Sequence, residues 1–105
     1  MVREINEQEF NENVMNEEGT KVVDFSATWC GPCKMLSPVY EQIAEEMEDK
    51  AEFYKVDIDK SMALARKYNI TTVPTVVVIK EGIEEERLIG FIPKEQLEEK
   101  IAAHI

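Results

Sequence analysis

The chain's two cysteines, Cys30 and Cys33, stand two residues apart in "ATWCGPCKMLSP", Ala27 to Pro38. Thiols at that spacing can close a small structural disulfide, supply half of a metal site, or cycle between dithiol and disulfide. Closing a four-residue loop returns only about 2 kcal/mol of chain entropy, against ~3 kcal/mol for fifteen residues, so a structural staple is poorly placed here. A closed metal site needs four ligands. Beyond the two thiols the chain offers one histidine, His104, beside the C-terminus, and iron–sulfur ligation fails on the same count within one chain.

Redox chemistry asks for less. If Cys33 lies in the first turn of a helix, the unpaired N–H groups and the dipole at that end favour a thiolate on Cys30, the expected nucleophile. Gly31 and Pro32 permit the tight turn, and the spacing keeps Cys33 close enough to attack a mixed disulfide as the resolving thiol.

The elements around the pair can be read from periodicity and punctuation. Asn6 followed by Glu9 is a capping box with Ile5 and Phe10 at staple positions, so a helix is expected from Glu7 to near Gly19. "KVVDFSA" (Lys21 to Ala27) is short, β-branched and apolar apart from Asp24, as a central strand would be. Leu36, Val39, Tyr40, Ile43 and Met47 then recur at helical spacing to about Asp49, with Pro38 as an expected kink. "AEFYKVDI" (Ala51 to Ile58) reads as a strand and Ser61 to Tyr68 as a short helix. "TVVVIK" (Thr75 to Lys80) and "ERLIG" (Glu86 to Gly90) read as a hairpin turning at Glu81-Gly82. A last helix follows Pro93, which suits a first helical position, with Leu97 and Ile101 facing inward. The expected fold is α/β: a mixed sheet with helices on both faces, the cysteines sitting where a strand hands over to a helix.

At 105 residues one domain over the whole length is expected. Acids outnumber bases 22 to 12, a formal charge of −10, so phosphate backbones and anionic lipid surfaces would repel most of the molecule. Nucleic acid and membranes are therefore not expected partners. "MVREINEQEF" has no leader pattern and no apolar run is long enough to span a bilayer, which gives a cytoplasmic protein as the expectation. In that reducing compartment a lone cysteine pair is more often catalytic or metal-binding than structural.

"WCGPC" at Trp29 to Cys33 is similar to the active-site motif of the thioredoxin family. "VVDFSATWCGPCKMLSP", "YKVDID", "VPTVVVIKEG" and the Gly90 region resemble segments of that family in order and at matching spacing from end to end. The resemblance implies a thioredoxin fold, a central mixed sheet of about five strands flanked by four helices. It implies a protein-disulfide reductase and electron carrier whose Cys30 and Cys33 form the redox-active disulfide, with no metal and no cofactor. A thioredoxin reductase and client proteins with reducible disulfides are the implied partners, and a monomer is expected. "GP" between the cysteines favours a thioredoxin over glutaredoxin and isomerase relatives. A disulfide isomerase or oxidase role, or service as a non-catalytic thioredoxin subunit of a larger complex, stands as the alternative.

The resemblance also extends to supporting residues. Asp24 is either a strand-end acid that reaches water or a buried carboxylate that takes the proton from Cys33. Lys55 matches the lysine that pairs with this acid in the family; otherwise it is an ordinary exposed lysine. Pro74 would usually follow a trans bond. The resemblance implies a cis Val73–Pro74 bond against the disulfide, with Val73 offering backbone hydrogen bonds to an extended substrate. Trp29 is a core aromatic or a cover for the site. Around it Ser26 to Val39 carry one charge, Lys34, while Thr71 to Thr75 and Gly90 to Pro93 carry none. A substrate face across Trp29, Gly31, Pro32, Val73, Pro74, Gly90 and Ile92 follows from that neutrality. Ser26 stands where many members of the family carry a second tryptophan.

Overall fold

Asn6 starts the first helix as its spacing demands: its side chain accepts the Glu9 N–H at 2.9 Å, while the Glu9 carboxylate accepts the Asn6 N–H at 3.0 Å. The computed structural model describes all of residues 1–105. Its elements are β1 (Val2–Glu4), α1 (Glu7–Phe10), β2 (Thr20–Ser26), α2 (Gly31–Glu46), β3 (Glu52–Asp57), α3 (Met62–Lys67), β4 (Thr75–Lys80), β5 (Ile83–Ile89) and α4 (Lys94–Ala102). A π-helical turn, Asn11–Met15, continues α1 and takes the place of the regular helix expected toward Gly19.

Five strands form one mixed sheet in the order β1-β3-β2-β4-β5. β1, β3 and β2 run parallel, while β4 is antiparallel to both β2 and β5. This is the thioredoxin fold that the sequence implies. β5 begins at Ile83, three residues before the expected Glu86, because its glutamate-rich start pairs with β4 through the backbone. The hairpin turns where expected, with φ positive at both Glu81 and Gly82, as a two-residue I′ turn requires. Pro93 caps α4 from outside rather than occupying its first turn.

Alternation along β2 divides the core. Val22, facing one way, joins Leu36, Tyr40 and Ile43 of α2 and Leu97 and Ile101 of α4. Val23 and Phe25, facing the other, pack with Phe10, Val14 and Leu64. The helices thus cover both faces, and the central strand is buried from end to end. Asp24 is the carboxylate within it, on the α2 side by the same alternation. Lys21 also lies buried in β2, its ammonium taken up by Glu17 and Glu52, so one charge enters the sheet already paired.

Candidate active site

β2 ends at Ser26 and the chain crosses Ala27 to Trp29 before Cys30 caps α2. Cys30 is extended, with φ −98° and ψ 117°, and its sulfur accepts the Cys33 N–H at 3.2 Å. A cap residue accepting from the third helical position satisfies a donor that the helix itself leaves free. Here the acceptor is the reacting sulfur. Gly31 and Pro32 fill the first two helical positions, where a missing N–H costs nothing. Cys30 and Cys33 are disulfide-bonded, with Cα atoms 5.2 Å apart. Both are buried beside Ala27 and packed against Ile58 and Val73.

Across the pair, the Val73 carbonyl oxygen lies 3.6 Å from Cys30 Sγ, and the Val73–Pro74 peptide is cis. Gly90 donates its N–H to the Pro74 carbonyl at 2.7 Å with φ +88°, a backbone state that a side chain would strain. The end of β5 is thereby fastened to the loop over the disulfide. Trp29 is 67% exposed and donates its indole N–H to Asp59 Oδ2 at 2.7 Å. Asp59 is itself placed by its backbone N–H, which donates to Asp57 Oδ1 at 2.9 Å. A groove of about 400 Å³ runs between Trp29, Gly31, Pro32, Ile58, Ile70 and Val73, with Cys30 in its wall.

Of the residues expected on this face, Pro74, Gly90 and Ile92 do not line that groove. Ile92 is half-buried and packs against the core formed with α2 and α4, whereas its neighbour Phe91 is exposed. Sequence reading also passed over Ile58, Ile70 and Asp59. No spacing rule connects Asp59 to an indole thirty positions earlier; only the β2–β3 pairing brings them together.

Within β2, two residues before its end, Asp24 is almost inaccessible, and its Oδ1 has no hydrogen-bond partner. Burial lifts its carboxyl from the ordinary 3.8 to about 7, with the positive charge of Lys55 pulling the other way. Lys55 stands beside Asp24 in register, half-buried, but makes no ion pair within 4.0 Å, so it acts through space. Tyr40 is near enough to feel the charge of the same carboxylate. Burial first, and then the Asp24 charge, hold its phenol well above the usual range, and its O–H is shared between the carbonyls of Val22 and Tyr54.

Two openings flank Lys55. A cleft of about 440 Å³ is lined by Cys33, Lys34, Ser37 and Lys55; a smaller one of about 60 Å³ is lined by Glu4, Ser26, Lys55 and Asp57. Asp24 lines neither opening, whereas Lys55, its neighbour in register, lines both. No group of three or more metal-binding side chains gathers anywhere in the structure, and no helix is long and apolar enough to cross a membrane.

The family model described as Thioredoxin matches residues 1–103. The chain is 41% identical over 101 residues to the thioredoxin of Staphylococcus haemolyticus, covering 96% of this chain and 95% of that one. It is 45% identical over 89 residues to the thioredoxin of Staphylococcus aureus, covering 85% and 86%. Its fold is similar to the crystal structure of Malassezia sympodialis thioredoxin, with a TM-score of 0.90, 37% identity, and coverage of 99% of this chain and 90% of that one. With the paired cysteines at the N-terminus of α2, these likenesses make the chain a thiol–disulfide oxidoreductase that belongs to the thioredoxin family.

Proposed function

We propose that the protein is a cytosolic thioredoxin: one domain over residues 1–105 that reduces client disulfides and is returned to the dithiol by a thioredoxin reductase. The observation that carries this reading is the Cys33 N–H aimed at Cys30 Sγ at 3.2 Å, because the same donor and the helix N-terminus stabilise a thiolate there after reduction.

In the proposed cycle the Cys30 thiolate attacks one sulfur of a client disulfide. A mixed disulfide forms and the client's other sulfur leaves as a thiolate. Asp24, ionised, takes the proton of Cys33 through the cleft that Cys33 shares with Lys55. The Cys33 thiolate then attacks Cys30 Sγ, closing the intramolecular disulfide and expelling the second client thiolate, which takes a proton from water. Two electrons have passed to the client, and the reductase supplies two in return. Lys55 steadies the Asp24 carboxylate. Trp29, Gly31, Pro32, Val73, Pro74 and Gly90 form the docking face, on which the Val73 backbone meets an extended client strand.

Insulin reduction by the isolated protein, driven by dithiothreitol or by a thioredoxin reductase with its electron donor, tests the reading. Catalysed precipitation of the insulin B chain is the expected result. A protein that instead reshuffled scrambled ribonuclease while leaving insulin intact would be an isomerase.

A further inference from the structure

Parallel pairing places Glu4 of β1 beside Lys55 of β3, and Lys55 beside Asp24 of β2, so three charged residues form one row across the sheet on a shared face. Glu4 and Lys55 also line the small opening together with Ser26 and Asp57. Lys55 therefore stands between two carboxylates, one buried with an unpartnered oxygen and one at the sheet edge. The edge carboxylate is engaged on its outer side: Lys60 Nζ lies 3.4 Å from Glu4 Oε2.

We propose that Glu4 is a positioning residue for the thiol chemistry, setting together with Lys60 how much of the Lys55 charge reaches Asp24. The ammonium of Lys55 rides on a flexible stem and can lean toward either carboxylate, and each step toward Glu4 is a step away from Asp24. Lys60, by occupying Glu4, releases Lys55 inward. The other charged or titratable groups around Lys55 and Asp24 are Cys33, Lys34 and Tyr40 on α2 and Asp57 on β3, while Asp59 in the following loop is taken up by Trp29. Val76 and Leu88 continue the row on β4 and β5 without charge.

Glu4 opposes ionisation of Asp24 both by its own charge and by drawing Lys55 off, so the two effects share a sign. The link to turnover rests on Asp24 being the proton acceptor of Cys33, and the experiment separates the two ideas. Carboxyl 13C NMR of the aspartate-labelled full chain, in the disulfide form where neither cysteine titrates, follows Asp24 directly. Glu4→Gln should lower its midpoint by about half a pH unit and Lys60→Gln should raise it by a similar amount. The distant Glu12→Gln should leave it in place. In a Lys55→Gln background most of the Glu4→Gln shift should vanish. A Glu4→Gln shift that is equally large without Lys55, or no shift with it, overturns the proposal. If the midpoint moves while the pH profile of insulin reduction does not, the coupling stands and the proton-acceptor role of Asp24 falls.

Discussion

Trp29 and Asp59, thirty residues apart in sequence, are joined by a 2.7 Å hydrogen bond from the indole N–H to the carboxylate. The ring has little packing to hold it where it is, being two-thirds exposed. A charge-assisted bond of this kind, discounted for exposure, is worth about 1 kcal/mol. Asp59→Ala should therefore loosen the ring, lowering the fluorescence anisotropy of this single tryptophan, and raise the insulin KM about fivefold with kcat unchanged. Asp59→Asn, which keeps an acceptor oxygen, should restore most of both. Unchanged anisotropy in Asp59→Ala would mean that packing alone fixes the ring.

The cysteine roles separate by trapping. Cys33→Ser should still attack through Cys30 and then stall as a mixed disulfide that mass spectrometry detects, whereas Cys30→Ser should trap nothing and reduce nothing. Client capture by Cys30→Ser alone would reverse nucleophile and resolver.

Docking should be sensitive to charge at the groove and indifferent to it on the acidic helices. Val73→Asp places a carboxylate beside Cys30 and should raise KM about tenfold through desolvation of the new charge. Glu45→Gln, on the exposed side of α2, should leave KM where it is. Ile92→Asp differs from both, since Ile92 packs on the core: it should cost about 2 kcal/mol of stability in urea unfolding. A KM effect from Ile92→Asp at full stability would return that residue to the docking face.

How far these features were legible depends on where their partners lie. The capping box at Asn6, the β2–α2 handover and the Glu81-Gly82 turn are local, and local spacing revealed them. β1 was missed because "VRE" carries two charges in three residues and becomes a strand only through its pairing with β3. The buried Lys21 was equally hidden, since the carboxylate that makes its burial tolerable comes in part from Glu52 on another strand. The cis Val73–Pro74 peptide and the placement of Lys55 beside Asp24 were suggested by family resemblance; no rule of composition or period contains either. Asp24 itself stood out in sequence, but its burial depends on α2 folding back over β2.

That burial yields the last prediction. The folded carboxyl titrates at about 7 and the unfolded one near 3.8, so between these values the unfolded chain binds fewer protons than the folded one. Stability must fall as pH rises through that window and level off above it. About three pH units of difference correspond to roughly 4 kcal/mol at pH 8, of which more than half is lost above pH 5. Asp24→Asn keeps the shape and removes the charge. Its stability relative to the parent should rise by about 2 to 3 kcal/mol between pH 5 and pH 8 in urea unfolding. Its turnover should move the opposite way, falling roughly tenfold at pH 8 because Cys33 has lost its proton acceptor. The parent's rate should decline as pH drops below 7 and the carboxylate takes up its proton, and the variant should lack that limb. A stability difference that is flat across pH would place the Asp24 carboxylate in contact with water, and a pH profile shared by both proteins would take it out of the proton path.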